Sequence, residues 1–131
     1  MDVKTALITG ASAGLGLAIA TRLSDVGYQL ILVARRESKL IKLANSLPTN
    51  CHVIACDVND FEQLAAKLES RPDQFRNIDL LLNNAGLALG LSTADKADWA
   101  DWQTMIQTNC MALAFVTRQI LPAMVKRNKG L

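Results

Sequence analysis

Short, almost wholly apolar runs alternate along this chain with longer stretches whose apolar residues recur at helical spacing. Residues 3–9, 29–34, 51–55 and 79–83 are the runs, and each reads as a strand covered on both faces. The stretches between them carry helical stripes at Leu15, Ala18, Ile19, Leu23 and Val26, then at Leu40, Leu43, Ala44 and Leu47, then at Phe61, Leu64, Ala65 and Leu68. Gly27 stops the first helix and Pro48 follows the second. A long last helix is expected from Asp98, its N-cap with Asp101 three residues on, with Trp102, Met105, Ile106, Asn109, Leu113, Val116 and Ile120 on one face. Pro122 is placed to kink that helix and Gly130 to cap its end. The order β-α-β-α-β-α-β-α predicts an α/β, doubly wound parallel sheet of strand order 3-2-1-4, with a ligand crevice at the strands' carboxyl ends.

Composition narrows the class without naming a partner. Apolar residues are 50% of the 131 and charged residues 20%, a balance that excludes a disordered chain. A net charge of +2, from scattered groups, carries no nucleic-acid footprint. No apolar run approaches the roughly 18 residues of a membrane span, and the N-terminus has no signal-peptide architecture. Cys51, Cys56 and Cys110 are an odd set without metal-ligand spacing, and His52 is the only imidazole. Free thiols of a cytoplasmic protein and no metal site are the expectation.

The chemistry begins where the first strand ends, at Thr9-Gly10-Ala11-Ser12-Ala13-Gly14-Leu15-Gly16, directly before a helical stripe. Glycines there let the backbone turn tightly and approach a pyrophosphate, to which the helix N-terminus presents unpaired N–H groups. The spacing departs from G-x-G-x-x-G and lacks the Gly-Lys-Ser/Thr ending of a nucleoside-triphosphate loop. A glycine turn that merely packs a helix on a sheet is the alternative, and the strand-loop-helix context disfavours it.

Thr9-Gly10 to Gly14-x-Gly16, together with Asn83-Asn84-Ala85-Gly86 after the fourth strand, resembles the short-chain dehydrogenase/reductase family of Rossmann-fold NAD(P) enzymes. The resemblance runs over essentially the whole chain. It implies that Thr9, Gly10, Ser12, Ala13, Gly14, Leu15 and Gly16 form the cofactor loop. It also implies that Asp57 meets the adenine amino group, that Val58 lies along the ring, and that Asn84, Ala85 and Gly86 line the ribose and steady the central strand.

The second strand ends Leu32-Val33-Ala34-Arg35-Arg36-Glu37. Ala34 stands where an NAD enzyme puts its ribose-binding acid, and Arg35 and Arg36 follow at once, which favours the 2′-phosphate of NADP. The two cations could instead only solvate the second helix, although cations at a helix N-terminus are mildly unfavourable.

Hydride transfer to a carbonyl needs a proton donor beside the oxygen. The family resemblance implies a Ser, a Tyr-x-x-x-Lys pair and an Asn in the long helix that holds a relay water; Asn109 alone is present, and a structural buried amide is its other reading. The single tyrosine, Tyr28, has no Lys four residues on, and none of the six serines takes the missing place. Leu87 to Leu91, with the run Asp101 to Asn109, resembles the branch acting on serine and other short 3-hydroxy acids.

Leu80-Leu81-Leu82 would form an uncovered apolar edge in a four-stranded sheet, and Leu131 falls where a further strand is expected. Residues 1–131 therefore read as the NADP-binding part of a longer oxidoreductase that interconverts an alcohol and a carbonyl. A small-molecule substrate is implied, with homo-oligomerisation through the long helix. An inert dinucleotide-binding or interaction fragment is the competing reading. A flavodoxin- or receiver-like domain would leave both glycine motifs unexplained.

Overall fold

The computed structural model describes residues 2–131. Its parallel sheet holds β1 (Thr5–Thr9), β2 (Gln29–Ala34), β3 (Cys51–Ala55) and β4 (Leu80–Leu82) in the order β3-β2-β1-β4, as the hydrophobic pattern predicts. The register sets Leu7 beside Ile31 and Leu81, so apolar residues of neighbouring strands fall in line. Side chains alternate between two cores. Leu7, Ile31, Val33 and Ile54 face one, and Ala6, Ile8, Leu30 and Leu32 the other. Both faces of a parallel sheet must be covered, which is why these strands read as continuous apolar runs.

Two strands are shorter than expected. Asn84 N–H turns back onto the Leu82 carbonyl at 3.0 Å, which ends β4, and β1 starts at Thr5 because its partner β2 begins at Gln29. Helices α1 (Gly14–Asp25) and α2 (Glu37–Ser46) cover one face, while α3 (Phe61–Glu69) and α5 (Leu113–Arg127) cover the other. Leu40 and Leu43 of α2 and Leu64 and Leu68 of α3 are buried as their stripes predict. Asp60 caps α3, its carboxylate accepting from Gln63 N–H at 3.1 Å.

The stripe assigned to α1 is corrected in part. Ile19 and Leu23 pack against the core, but the fully buried positions are Gly16, Ala20 and Ser24, whereas Leu15 is 75% exposed and Val26 is exposed too. Small side chains at every fourth position let this helix approach the sheet closely, and a contact made by backbone carries no hydrophobic signature.

The last helix is not continuous. α4 (Trp99–Ile106) is capped by Asp98, which accepts from Ala100 N–H at 2.9 Å, and a π-helical turn, Gln107–Ala112, joins it to α5. Val116 and Ile120 are buried as predicted, and with them Met124; in the π-helical turn it is Thr108 and Ala112 that are buried. Trp102, Ile106, Asn109 and Leu113, expected on the packed face, are exposed. Pro122 lies inside α5, which runs on to Arg127, and the left-handed residue at its end is Asn128 (φ 52°) rather than Gly130.

Leu131 lies along the outer edge of β4. Its N–H donates to the Asp79 carbonyl at 2.9 Å and its carbonyl accepts from Leu81 N–H at 2.8 Å. Asp79 fastens the base of this edge: its carboxylate accepts from Thr5 N–H at 2.9 Å and from Arg127 at 2.7 Å. Burial pushes the Asp79 pKa up, but the Thr5 N–H, the Arg127 guanidinium and the nearby Lys129 outweigh it and hold the carboxyl below its ordinary value. No helix among the described residues is long and apolar enough to cross a membrane.

Candidate dinucleotide site

A cleft of about 510 Å³ opens at the carboxyl ends of the strands, where β1 has β2 on one side and β4 on the other. The loop after β1 contributes Gly10, Ser12 and Ala13; the end of β2 contributes Ala34, Arg35 and Arg36; the segment after β3 contributes Asp57, Val58 and Asn59; and the segment after β4 contributes Ala85, Gly86 and Leu87. Four loops converge because every strand runs the same way, so each carboxyl end delivers its loop to one edge.

The expected site residues separate into two groups. Gly10, Ser12, Ala13, Arg35, Arg36, Asp57, Val58, Ala85 and Gly86 line the cleft. Thr9, Gly14, Leu15, Gly16 and Asn84 do not, and several of them build it instead. Thr9 is buried, and its hydroxyl oxygen accepts from the N–H groups of Asn84 and Ala85, each at 3.0 Å. Asn84 Nδ2 donates to the carbonyls of Thr9 (3.2 Å) and Gly10 (3.1 Å), which ties the turn after β4 to the turn after β1.

Gly16 sits at the closest crossing. A Cβ there would collide with the Gly10 carbonyl oxygen and would stand 2.5 Å from Asn84 Nδ2. Gly10 itself has φ +66°, and a Cβ on it would meet the Ala85 backbone at 3.0 Å. The glycines therefore bring the backbone of one turn against that of the other.

Asn109 does not line the cleft; it holds a residue that does. Leu87 N–H donates to Asn109 Oδ1 at 2.8 Å, and Nδ2 donates back to the Leu87 carbonyl at 2.8 Å. The amide finds its partners on an exposed loop, not in the core expected of it.

Lys39, Cys56, Asn59, Leu87, Thr104 and Thr108 also line the cleft and were not anticipated. Lys39 is in the first turn of α2, where a search of the helix start for cations would find it. Thr108 belongs to the π-helical turn, and its hydroxyl oxygen accepts from Asn59 Nδ2 at 2.9 Å. Cys56 is buried, and burial, the largest influence, pushes its thiol pKa up against the lowering effect of Lys67. The cysteines are free, and no cluster of metal-ligating side chains occurs among the described residues.

A glycine turn, a helix N-terminus and a row of cations at the carboxyl edge of a doubly wound parallel sheet define a dinucleotide-binding α/β domain. The chain belongs to the short-chain dehydrogenase family, whose sequence profile matches residues 4–131. It is 45% identical over 130 residues to a probable NADP-dependent dehydrogenase of Haemophilus influenzae, covering 99% of this chain and 52% of that protein. It is 44% identical over 124 residues to the NADP-dependent 3-hydroxy acid dehydrogenase YdfG of Escherichia coli, covering 95% of this chain and 50% of that one. The crystal structure of serine dehydrogenase from Escherichia coli superposes with a TM-score of 0.92 at 43% identity, over 96% of this chain and 58% of the other. A closed form of serine dehydrogenase complexed with NADP+ gives 0.93 at the same identity, over 96% and 51%. The chain spans about half the length of the curated relatives it matches.

Proposed function

We propose that residues 1–131 are the NADP-binding half of an oxidoreductase that interconverts an alcohol and a carbonyl by hydride transfer, with a short 3-hydroxy acid such as serine as the alcohol. The carrying observation is the pair Arg35 and Arg36 on the rim of the cleft, directly after Ala34. A carboxylate at the end of β2 would repel a 2′-phosphate, whereas two guanidiniums offer it bidentate, permanently charged donors. The glycine crossing at Gly10 and Gly16 suits a pyrophosphate loop, since a Cβ at either position would push the turn after β1 away from the turn after β4 and displace the main chain at the cleft. The Escherichia coli and Haemophilus relatives are named as NADP-dependent, which supports the same cofactor here.

The cofactor, when bound, supplies the hydride. The chain's own residues bind and orient it. Main-chain groups of Gly10 to Ala13 meet the diphosphate, Asp57 and Val58 the adenine, and Ala85 and Gly86 the ribose. Asn109 keeps Gly86 and Leu87 in place through its two bonds to Leu87 and serves in the intact enzyme as the relay residue. The Ser and the Tyr-x-x-x-Lys pair belong, on this reading, to chain that follows, whose first strand would continue along β4 from Leu131. The rest of the reading is a cytoplasmic enzyme of small-molecule substrates, not of nucleic acid. It pairs with a second copy through α4, where Trp99 is 65% exposed and its ring stands 6.1 Å from that of Trp102.

Calorimetric titration of the purified protein with NADPH and NADH tests the assignment. NADPH is expected to bind at least about tenfold more tightly, a difference of about 1.4 kcal/mol, and Arg35→Asp to remove most of that preference. An NADPH affinity unchanged by Arg35→Asp would refute it. The competing inert-module reading predicts cofactor binding without carbonyl reduction even in a chain extended by the Ser strand and the Tyr-x-x-x-Lys helix.

A further inference from the structure

Arg35 and Arg36 are not the only cations on the rim of the cleft. Lys39 lines it too, the third residue of α2, in its first turn just beyond the Arg36 N-cap. Glu37 is the only acid in that turn, and among the described residues none of the three cations forms an ion pair. Three positive groups thus crowd a helix N-terminus, where the macrodipole is already positive and a cation is unfavourable when nothing offsets it. Arg36 provides no side-chain cap there either. An anion in the cleft would meet all three.

We propose that Lys39 is a third contact for the ribose 2′-phosphate and sets selectivity for the phosphorylated dinucleotide; the proposal rests on the reading of the cleft as an NADP site. A phosphate monoester carries a charge of about −1.5 to −2 near pH 7 and three acceptor oxygens. Each of those oxygens accepts more than one hydrogen bond, so two guanidiniums, each engaging two oxygens in a planar fork, still leave acceptor positions open. Lysine suits that remainder, being a compact charge with three donors on a flexible stem. Its place on α2 brings it to the phosphate from the helix side, while the arginines come from the end of β2.

A lysine that only solvates the helix surface would not distinguish NADPH from NADH. Calorimetric titrations of the purified protein with NADPH, NADH, 2′,5′-ADP and 5′-AMP, for the wild type, Lys39→Ala, Lys39→Arg and Arg35→Asp, separate the cases. Lys39→Ala is expected to weaken NADPH and 2′,5′-ADP by roughly five- to tenfold, with NADH and 5′-AMP unchanged within about twofold. Lys39→Arg is expected to restore most of the loss. The proposal is overturned if Lys39→Ala leaves the NADPH to NADH ratio as in the wild type, whether by changing neither affinity or by weakening both alike. A wild type with no preference for the 2′-phosphate would refute the NADP reading itself, and that result is distinct because it appears before any substitution at Lys39.

Discussion

Asn109 grips the main chain of Leu87 from both sides, accepting from its N–H and donating to its carbonyl, each at 2.8 Å. The two residues are 22 positions apart, and the bond pair closes the loop after β4 against the π-helical turn. Helix irregularities of this kind recur at functional sites, and here Thr108 of the irregular turn lines the cleft while its neighbour Asn109 holds Leu87, which lines it too.

Truncating that side chain should loosen the wall without unfolding the protein. Asn109→Ala is expected to speed amide hydrogen exchange at Leu87 by about tenfold and to lower stability by about 0.5–1.5 kcal/mol, since both freed groups are near solvent. An unchanged exchange rate at Leu87 would mean that the loop is held by something other than Asn109.

Thr9 presents a sharper case, because it is buried and its oxygen serves two main-chain donors. Thr9→Val keeps the shape and removes the acceptor, leaving the N–H groups of Asn84 and Ala85 without it. A loss of about 2–4 kcal/mol in urea-denaturation stability is expected, together with weaker NADPH binding. Retention of wild-type stability would show that the turn re-forms without this hydroxyl.

Two glycines of the first loop should fail for different reasons. Gly16→Ala drives a methyl group into the Gly10 carbonyl, and the overpacking should cost about 1–3 kcal/mol and displace the turn that faces the cleft. At Gly14 no atom lies within 4 Å of an added Cβ, but φ is +56°. Gly14→Ala should therefore cost only about 1 kcal/mol, from backbone conformation, and Gly14→Asn less than that. Comparing urea midpoints for the three variants tests the distinction, and equal losses at both positions would contradict it.

Asp79 links stability to pH. Its pKa is held below the ordinary carboxylate value, so the folded state binds the proton more weakly than the unfolded chain. Its contribution is complete above the unfolded value of about 3.9 and fades as pH falls through the lower folded value. The side chain is only 12% exposed. At pH 7 Asp79→Asn should cost about 1.5–3 kcal/mol, the usual worth of hydrogen bonds to a charged group. Thermal melts of both proteins should converge as the pH drops below about 3.9, and a gap that widened in acid would reverse the assigned sign.

The sheet and its loop could be read from residue order because their causes are local or nearly so. Apolar runs such as Leu30 to Val33 admit only a strand buried on both faces, and Thr9 to Gly16 places glycines where a turn brings backbone close to backbone. Arg35 and Arg36 were visible for the same reason, since they follow the strand that delivers them to the cleft. The errors arise where packing outweighs periodicity. The fully buried positions of α1 are Gly16, Ala20 and Ser24, which no hydrophobic stripe reveals, and around the π-helical turn Thr108 and Ala112 are buried in place of Asn109 and Leu113, whereas Val116 and Ile120 face the core as their spacing predicts. Lys39, Asn59 and Thr108 belong to the cleft only because three separate elements meet there. The linear pattern thus determined the strand order, the dinucleotide loop and the cationic end of β2. Only the tertiary structure decided which helix face is packed and which distant side chains share the site, because close approach and convergence depend on distances in space that spacing along a chain does not contain.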